Sequence, residues 1–204
     1  MANSNERHES YGQRKLTVVD RFGVYLSKRA VLKWLPKAQP ISVLDIGCGF
    51  NATLLNSLRP QIQDGTGIDL TISDELKKTP ALTFYEGRIE AELPKLSEQS
   101  FDVILFMSVL EHLWAPGEIL AHCHRLLKPG GTLLINVPTW RGKTFLEYSA
   151  FKLGTSPATE MNDHKMYYDK RDLWPLMVKS GFIPSNITMY YHKFGLNLFT
   201  VARK

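Results

Sequence analysis

At 204 residues the chain is long enough for one sizeable core and short for two full domains. Hydrophobic residues make up 44% of it and charged residues 22%, which excludes a disordered chain, and no stretch approaches the roughly 20 apolar residues that span a bilayer. The opening MANSNERHESYGQRK is polar and lacks the apolar centre of a secretory signal, so a cytoplasmic protein is expected. Cys48 and Cys123 have no metal-type spacing and read as free thiols; no metal site is expected. The net charge of +5 comes from scattered basic residues rather than a cluster interleaved with aromatics, which points to a solvated basic surface and away from nucleic acid.

No internal repeat is evident. Short β-rich runs alternate with longer helical stretches, the pattern of an α/β doubly wound fold. The expectation is a single, mostly parallel sheet of about seven strands, the final one antiparallel, with helices on both faces. Residues 16–35 carry apolar positions at helical spacing and stop at Pro36, so 1–36 is expected to be an N-terminal helical segment before a domain of 37–204. ISVLDIG (41–47) reads as a buried strand, followed by a glycine turn and a helix in ATLLNSLRP. A second strand lies in GTGIDL, ending at Asp69 and Leu70, and a third in LTFYEG. The fourth, FDVILFM (101–107), leads to a helix around Pro116 to Leu127, which KPGG breaks before a fifth strand, TLLINVP. From about 139 to 172 the pattern weakens, and this stretch is expected to be an insertion serving as a lid or acceptor site. A helix in RDLWPLMVKSG, with Pro175 in its first turn, and two strands in ITMYYHKF and LNLFTVARK complete the chain.

Gly47 and Gly49 stand directly after a buried strand and before a helix, where missing side chains let the backbone approach a ligand and the helix start offers amide donors. The spacing GCGFNA also satisfies a dinucleotide fingerprint, with Ala52 for the third glycine and Asp69 for the ribose. Asp45 separates the two readings. A carboxylate two residues before the first glycine repels a pyrophosphate but suits a cofactor with an ammonium and a sulfonium, as S-adenosylmethionine has. Capping of adjacent turns is the structural alternative for Asp45 and Asp69.

At this point the chain resembles the class I S-adenosylmethionine-dependent methyltransferases. VLDIGCGFN looks like their first motif, GIDL like their ribose-binding acid, FDVILFMSVLEHL like their fourth-strand region and RLLKPGGTLLINVP like their fifth-strand entry, in order over about residues 40 to 138. The resemblance implies a Rossmann-like fold, methyl transfer and S-adenosyl-L-methionine as cofactor. It implies cofactor contacts from Asp45, Gly47, Cys48, Gly49 and Asn51 around the turn, and from Asp69 and Leu70 after the second strand. Arg88 and Ile89 would lie near the adenine. Phe106, Met107 and Ser108 would lie near the methionine part, where backbone carbonyls receive its ammonium, and His112 would pack beside the pocket. The chain departs from the pattern at Asn51, where many members have a third glycine; asparagine is the next best residue for a left-handed conformation.

Methyl transfer from a sulfonium needs mainly alignment, and an oxygen nucleophile also gains from a general base. His164 in NDHKMYY, inside the expected insertion, is the candidate base; the bland alternative is an exposed loop histidine. His192, in a late strand, is assigned no role. TWRGKTFLEYSAFKLG could line an acceptor pocket, lie against a membrane surface or cover the sheet as an ordinary core helix. The expected acceptor is a small molecule or a glycan-like or lipid-linked one. The rivals are a non-catalytic S-adenosylmethionine-binding protein, a nucleic-acid methyltransferase, which the absence of an Asn-Pro-Pro-aromatic segment disfavours, and a nicotinamide-dependent oxidoreductase, disfavoured by Asp45 and by chain length.

Overall fold

The computed structural model of the chain describes residues 10–13, 18–37, 40–145 and 163–204. Most of TWRGKTFLEYSAFKLG and the middle of the expected insertion, 146–162, lie outside the described residues; 140–145 are helical. No helix among the described residues is long and apolar enough to cross a membrane.

Residues 16–35 yield one helix, α1 (Val18–Trp34). It ends just before Pro36, whose ring disfavours helical backbone in the residue ahead of it. Its Ala30 and Val31 are buried, and Trp34 Nε1 donates to Tyr190 Oη at 3.2 Å, which ties the helix to the far edge of the sheet.

The strands are β1 (Ser42–Ile46), β2 (Asp64–Asp69), β3 (Leu82–Glu86), β4 (Phe101–Met107), β5 (Leu127–Pro138), β6 (Ile187–His192) and β7 (Asn197–Arg203). They form one sheet in the order β3-β2-β1-β4-β5-β7-β6. The first five are parallel, and the final strand, β7, runs antiparallel to both β5 and β6. Because β1 lies between β2 and β4, the chain winds outward one way through β3 and then crosses back. A crevice opens beyond the carboxyl ends of β1 and β4, the place where doubly wound sheets bind ligands.

Both faces of the sheet are covered, so its central strands are apolar on both sides. Alternation along β1 sends Val43 into one layer with Leu55 of α2 (Thr53–Leu58), Val103 and Phe199. Leu44 and Ile46 go into the other, with Ile104, with Leu120 of α4 (Pro116–Leu126) and with Met177 of α5 (Lys170–Lys179). A short helix, α3 (Ile89–Glu92), follows β3.

Two local expectations change. KPGG does end α4, but β5 already starts at Leu127. Gly130 takes φ 77°, the β4–β5 register shifts between Phe101 and Val103, and the pair Gly130 N to Lys204 O (3.1 Å) and Lys204 N to Gly131 O (3.0 Å) keeps the segment in the sheet. Pro175 lies inside α5 rather than in its first turn. The helix start is set instead by a capping box, in which the Asp169 side chain takes a backbone amide of the first turn and Asp172 Oδ2 accepts from Asp169 N at 2.8 Å.

Candidate active site

Gly47 and Gly49 leave β1 with φ of 72° and 80°, values a side chain would strain. Gly47 N and Cys48 N donate to Ile68 O at 2.8 and 3.1 Å, and Gly49 N donates to Asp69 Oδ2 at 2.7 Å. Asp69 Oδ1 accepts from Leu70 N at 2.8 Å. The carboxylate at the end of β2 thus caps two turns while still lining the cavity described below.

Asn51 does not supply the left-handed residue. Ala52 does, at φ 40°, as the N-cap of α2. Asn51 instead donates through Nδ2 to Gly12 O at 3.0 Å. The segment around Gly12 lies over the glycine turn: Phe50 N donates to Tyr11 O at 2.8 Å, and Thr71 N donates to Ser10 Oγ at 2.8 Å. A Cβ on Gly49 would stand 2.8 Å from Tyr11 O.

Beyond the carboxyl ends of β1, β2 and β4 lies a cavity of about 560 Å³. It brings together Asp45, Gly47, Cys48, Gly49 and Asn51, then Asp69, Leu70, Arg88 and Ile89, then Met107, Ser108, His112 and His164. Phe106 is the exception among the expected residues. It does not line the cavity, because its fully buried side chain belongs to the core and its position pairs with Ile46 and Ile135 inside the sheet. Ser108 adopts φ 58°, an uncommon conformation for serine; its N donates to Asn136 O at 2.7 Å and its Oγ accepts from Asn136 Nδ2 at 3.3 Å. His192 lies off the cavity against the Phe199 ring, 5.8 Å between centroids.

The floor of the cavity is acidic. Asp45 is 2% exposed, and burial, with Asp69 adding its charge, pushes its carboxyl up to about 8. Burial, then Asp45 and Asp69, push the Cys48 thiol up as well, so it is an inert wall rather than a nucleophile. Cys123 is a buried core thiol, raised by burial.

The same cavity also carries histidines and bases. Lys165 N and Met166 N donate to Glu111 O at 2.7 and 3.2 Å, which draws 163–166 against the segment after β4. His112 Nδ1 lies 2.9 Å from Asp163 Oδ2, and Lys165 Nζ lies 3.0 Å from Asp163 Oδ1. Burial works to raise the Asp163 carboxyl, but the hydrogen bonds from His112 and Lys165 outweigh it and hold it below the usual range. His164 Nδ1 lies 2.9 Å from Tyr167 Oη, and the His112 and His164 rings are 4.8 Å apart. Lys193 also lines the cavity, with its ammonium pushed down to about 8 by burial, against the pull of Glu111.

Tyr11, Asp163, Lys165 and Lys193 are cavity residues that sequence reasoning passed over. The Asp-His-Lys alternation around His164 was a usable signal for two of them. Tyr11 left none, since its place depends on contacts across the fold.

The sheet order and the cavity beyond its carboxyl edge define a Rossmann-like α/β protein. Residues 19–184 match the family described as a methyltransferase domain, and the chain belongs to that family, among the class I S-adenosylmethionine-dependent methyltransferases. A Mycolicibacterium smegmatis protein named "Probable S-adenosylmethionine-dependent methyltransferase" is 27% identical over 159 residues, 76% of this chain and 56% of that one. The ubiquinone biosynthesis O-methyltransferase of Paracidovorax citrulli is 33% identical over 127 residues, 56% of this chain and 52% of that one. The chain therefore spans little more than half the length of these relatives. A crystal structure of an S-adenosylmethionine-dependent methyltransferase from Archaeoglobus fulgidus shares the fold with a TM-score of 0.65 at 16% identity, covering 89% of this chain and 94% of that one. The cofactor that membership implies is S-adenosyl-L-methionine. The site fits it: Asp45 and Asp69 line the cavity at the glycine turn, and the buried Asp45 carboxyl asks for a cationic neighbour.

Proposed function

We propose that this chain transfers a methyl group to a hydroxyl of a small acceptor with an apolar body. The observation that carries the reading is the paired carboxylates, Asp45 and Asp69, at the glycine turn beneath one cavity. Burying an acid without a cation is costly, and two acids at a turn that would otherwise hold a pyrophosphate favour an ammonium and a sulfonium over a nicotinamide dinucleotide.

In this reading Asp69 meets the ribose hydroxyls, with Leu70 beside them, and Asp45 faces the cationic amino-acid part. Gly47, Cys48, Gly49 and Asn51 form the floor. Arg88 and Ile89 flank the adenine. Backbone carbonyls at Met107 and Ser108 receive the ammonium, and His112 closes the pocket. S-adenosylmethionine supplies a methyl already activated on sulfur, so the chain's main task is to hold the acceptor oxygen in line and exclude water. His164 is assigned to acceptor activation.

The acceptor class draws on two supports. Phe22, Trp114, Phe145 and Phe194 are cavity residues with 52, 73, 51 and 84% of their surface exposed, an apolar rim suited to a hydrophobic acceptor or lipid-linked tail. The relatives named for ubiquinone biosynthesis O-methylation support an oxygen nucleophile.

Calorimetric titration with S-adenosylhomocysteine and, separately, NADH tests the cofactor reading, with Asp69→Ala as control. Micromolar binding of the first that the substitution weakens, and none of the second, is expected. Binding of NADH alone would overturn the reading.

A further inference from the structure

In the lining of the same cavity, Glu111, His112 and His164 each present one ligating atom, all within 4.8 Å of one another. They belong to two segments far apart in sequence, brought together by the amides of Lys165 and Met166 on Glu111 O. We infer that these three side chains form a divalent-cation site at the acceptor end of the cavity, through which His164 acts on the acceptor. The inference deepens the methyl-transfer reading and rests on it for its catalytic meaning.

The arrangement around the histidines carries the argument. Each ring has its Nδ1 close to an oxygen outside the triad, His112 to Asp163 Oδ2 and His164 to Tyr167 Oη, both at 2.9 Å. A carboxylate that accepts from one ring nitrogen is how proteins fix the tautomer and aim the other nitrogen at a metal. In the inferred site each ring ligates through Nε2, with its Nδ1 proton facing Asp163 or Tyr167. Asp163 is itself steadied by Lys165 Nζ at 3.0 Å. Two imidazoles and one carboxylate leave open coordination positions, which distinguishes a catalytic site from a closed structural one. His112 and His164 line the cavity, so an ion held there would be open to a molecule bound in it.

Donor chemistry selects the ion. Imidazole favours zinc and its neighbours, whereas magnesium prefers an all-oxygen shell. A hydroxyl drawn to such an ion loses its proton more readily, the O–H electron pair staying on oxygen and the proton passing to solvent.

The test is titration of the full chain, stripped with a chelator, with Zn²⁺ and Mn²⁺ and with Mg²⁺ for comparison. Calorimetry reads Zn²⁺ and Mg²⁺, and electron paramagnetic resonance reads Mn²⁺. S-adenosylhomocysteine binding is measured on the same samples. One Zn²⁺ per chain at micromolar affinity is expected, weakened at least tenfold in both His164→Ala and Glu111→Gln, with S-adenosylhomocysteine binding retained in each. Retained cofactor-product binding also shows that the variants fold; should buried Glu111→Gln fail that check, His164→Ala decides. No saturable ion binding by a protein that binds S-adenosylhomocysteine overturns the metal site alone, as does unchanged Zn²⁺ affinity in His164→Ala. Ion binding by a protein that ignores S-adenosylhomocysteine supports the site and sinks the cofactor reading instead.

Discussion

The Asp69 carboxylate accepts the Gly49 amide proton at 2.7 Å, so the acid at the end of β2 and the second glycine of the turn after β1 are a single unit. Whatever occupies the cavity meets a turn whose shape depends on that carboxylate. Asp69→Ala should therefore act twice. It should lower stability by about 1 to 3 kcal/mol by leaving a buried amide unpaired, and weaken S-adenosylhomocysteine binding by at least about tenfold, the loss of a hydrogen bond to a charged group. Urea unfolding and calorimetry separate the two, and unchanged affinity would remove Asp69 from the cofactor site.

Asp45 makes a pH prediction. Its carboxyl is raised from 3.8 to about 8 by burial and by Asp69, so between these values the folded protein keeps a proton that the unfolded chain has released. Stability from this group is greatest near the acid end of that window and falls as pH rises to about 8, then levels. Urea midpoints from pH 5 to 8.5 should therefore decline more steeply in the native protein than in Asp45→Asn. Parallel slopes would show that Asp45 titrates normally.

Cofactor binding should have the opposite pH response. A cation beside Asp45 favours its ionised form, so S-adenosylmethionine binding should release a proton near neutrality and tighten toward alkaline pH. Calorimetry in buffers of different ionisation enthalpy counts that proton, and Asp45→Asn should abolish its release.

Gly49→Ala tests the cover over the turn. The new Cβ meets Tyr11 O at 2.8 Å on a residue with φ 80°, so backbone must move. A loss of about 1 to 3 kcal/mol is expected, with S-adenosylhomocysteine binding lost more severely than stability. A neutral outcome would mean that residues 10–12 do not hold the turn.

Leu120→Ala supplies the contrasting case. Leu120 is fully buried between α4 and the sheet, and its truncation should cost about 2 to 5 kcal/mol through lost burial and a cavity, while affinity per folded molecule stays unchanged. The comparison separates variants that damage the site from variants that only unfold the chain.

By itself the sequence determined the strand series, the glycine turn and the acids at Asp45 and Asp69, because each is a local pattern: period-two burial along strands, proline and glycine as breaks, and a carboxylate at a known offset from a glycine. Elements such as β1 and β4, apolar on both faces, announced a covered parallel sheet. Tertiary structure alone decided the rest. The left-handed residue is Ala52 rather than Asn51, whose side chain instead bonds Gly12, thirty-nine positions earlier. Phe106 leaves the cavity because strand parity turns it into the core. KPGG joins the sheet because Lys204 at the chain's end pairs with it. His164 acquires its neighbours, His112 and Glu111, only when two segments some fifty residues apart share backbone hydrogen bonds. Contacts between residues distant in sequence follow from packing and pairing of whole elements, and no local pattern encodes them.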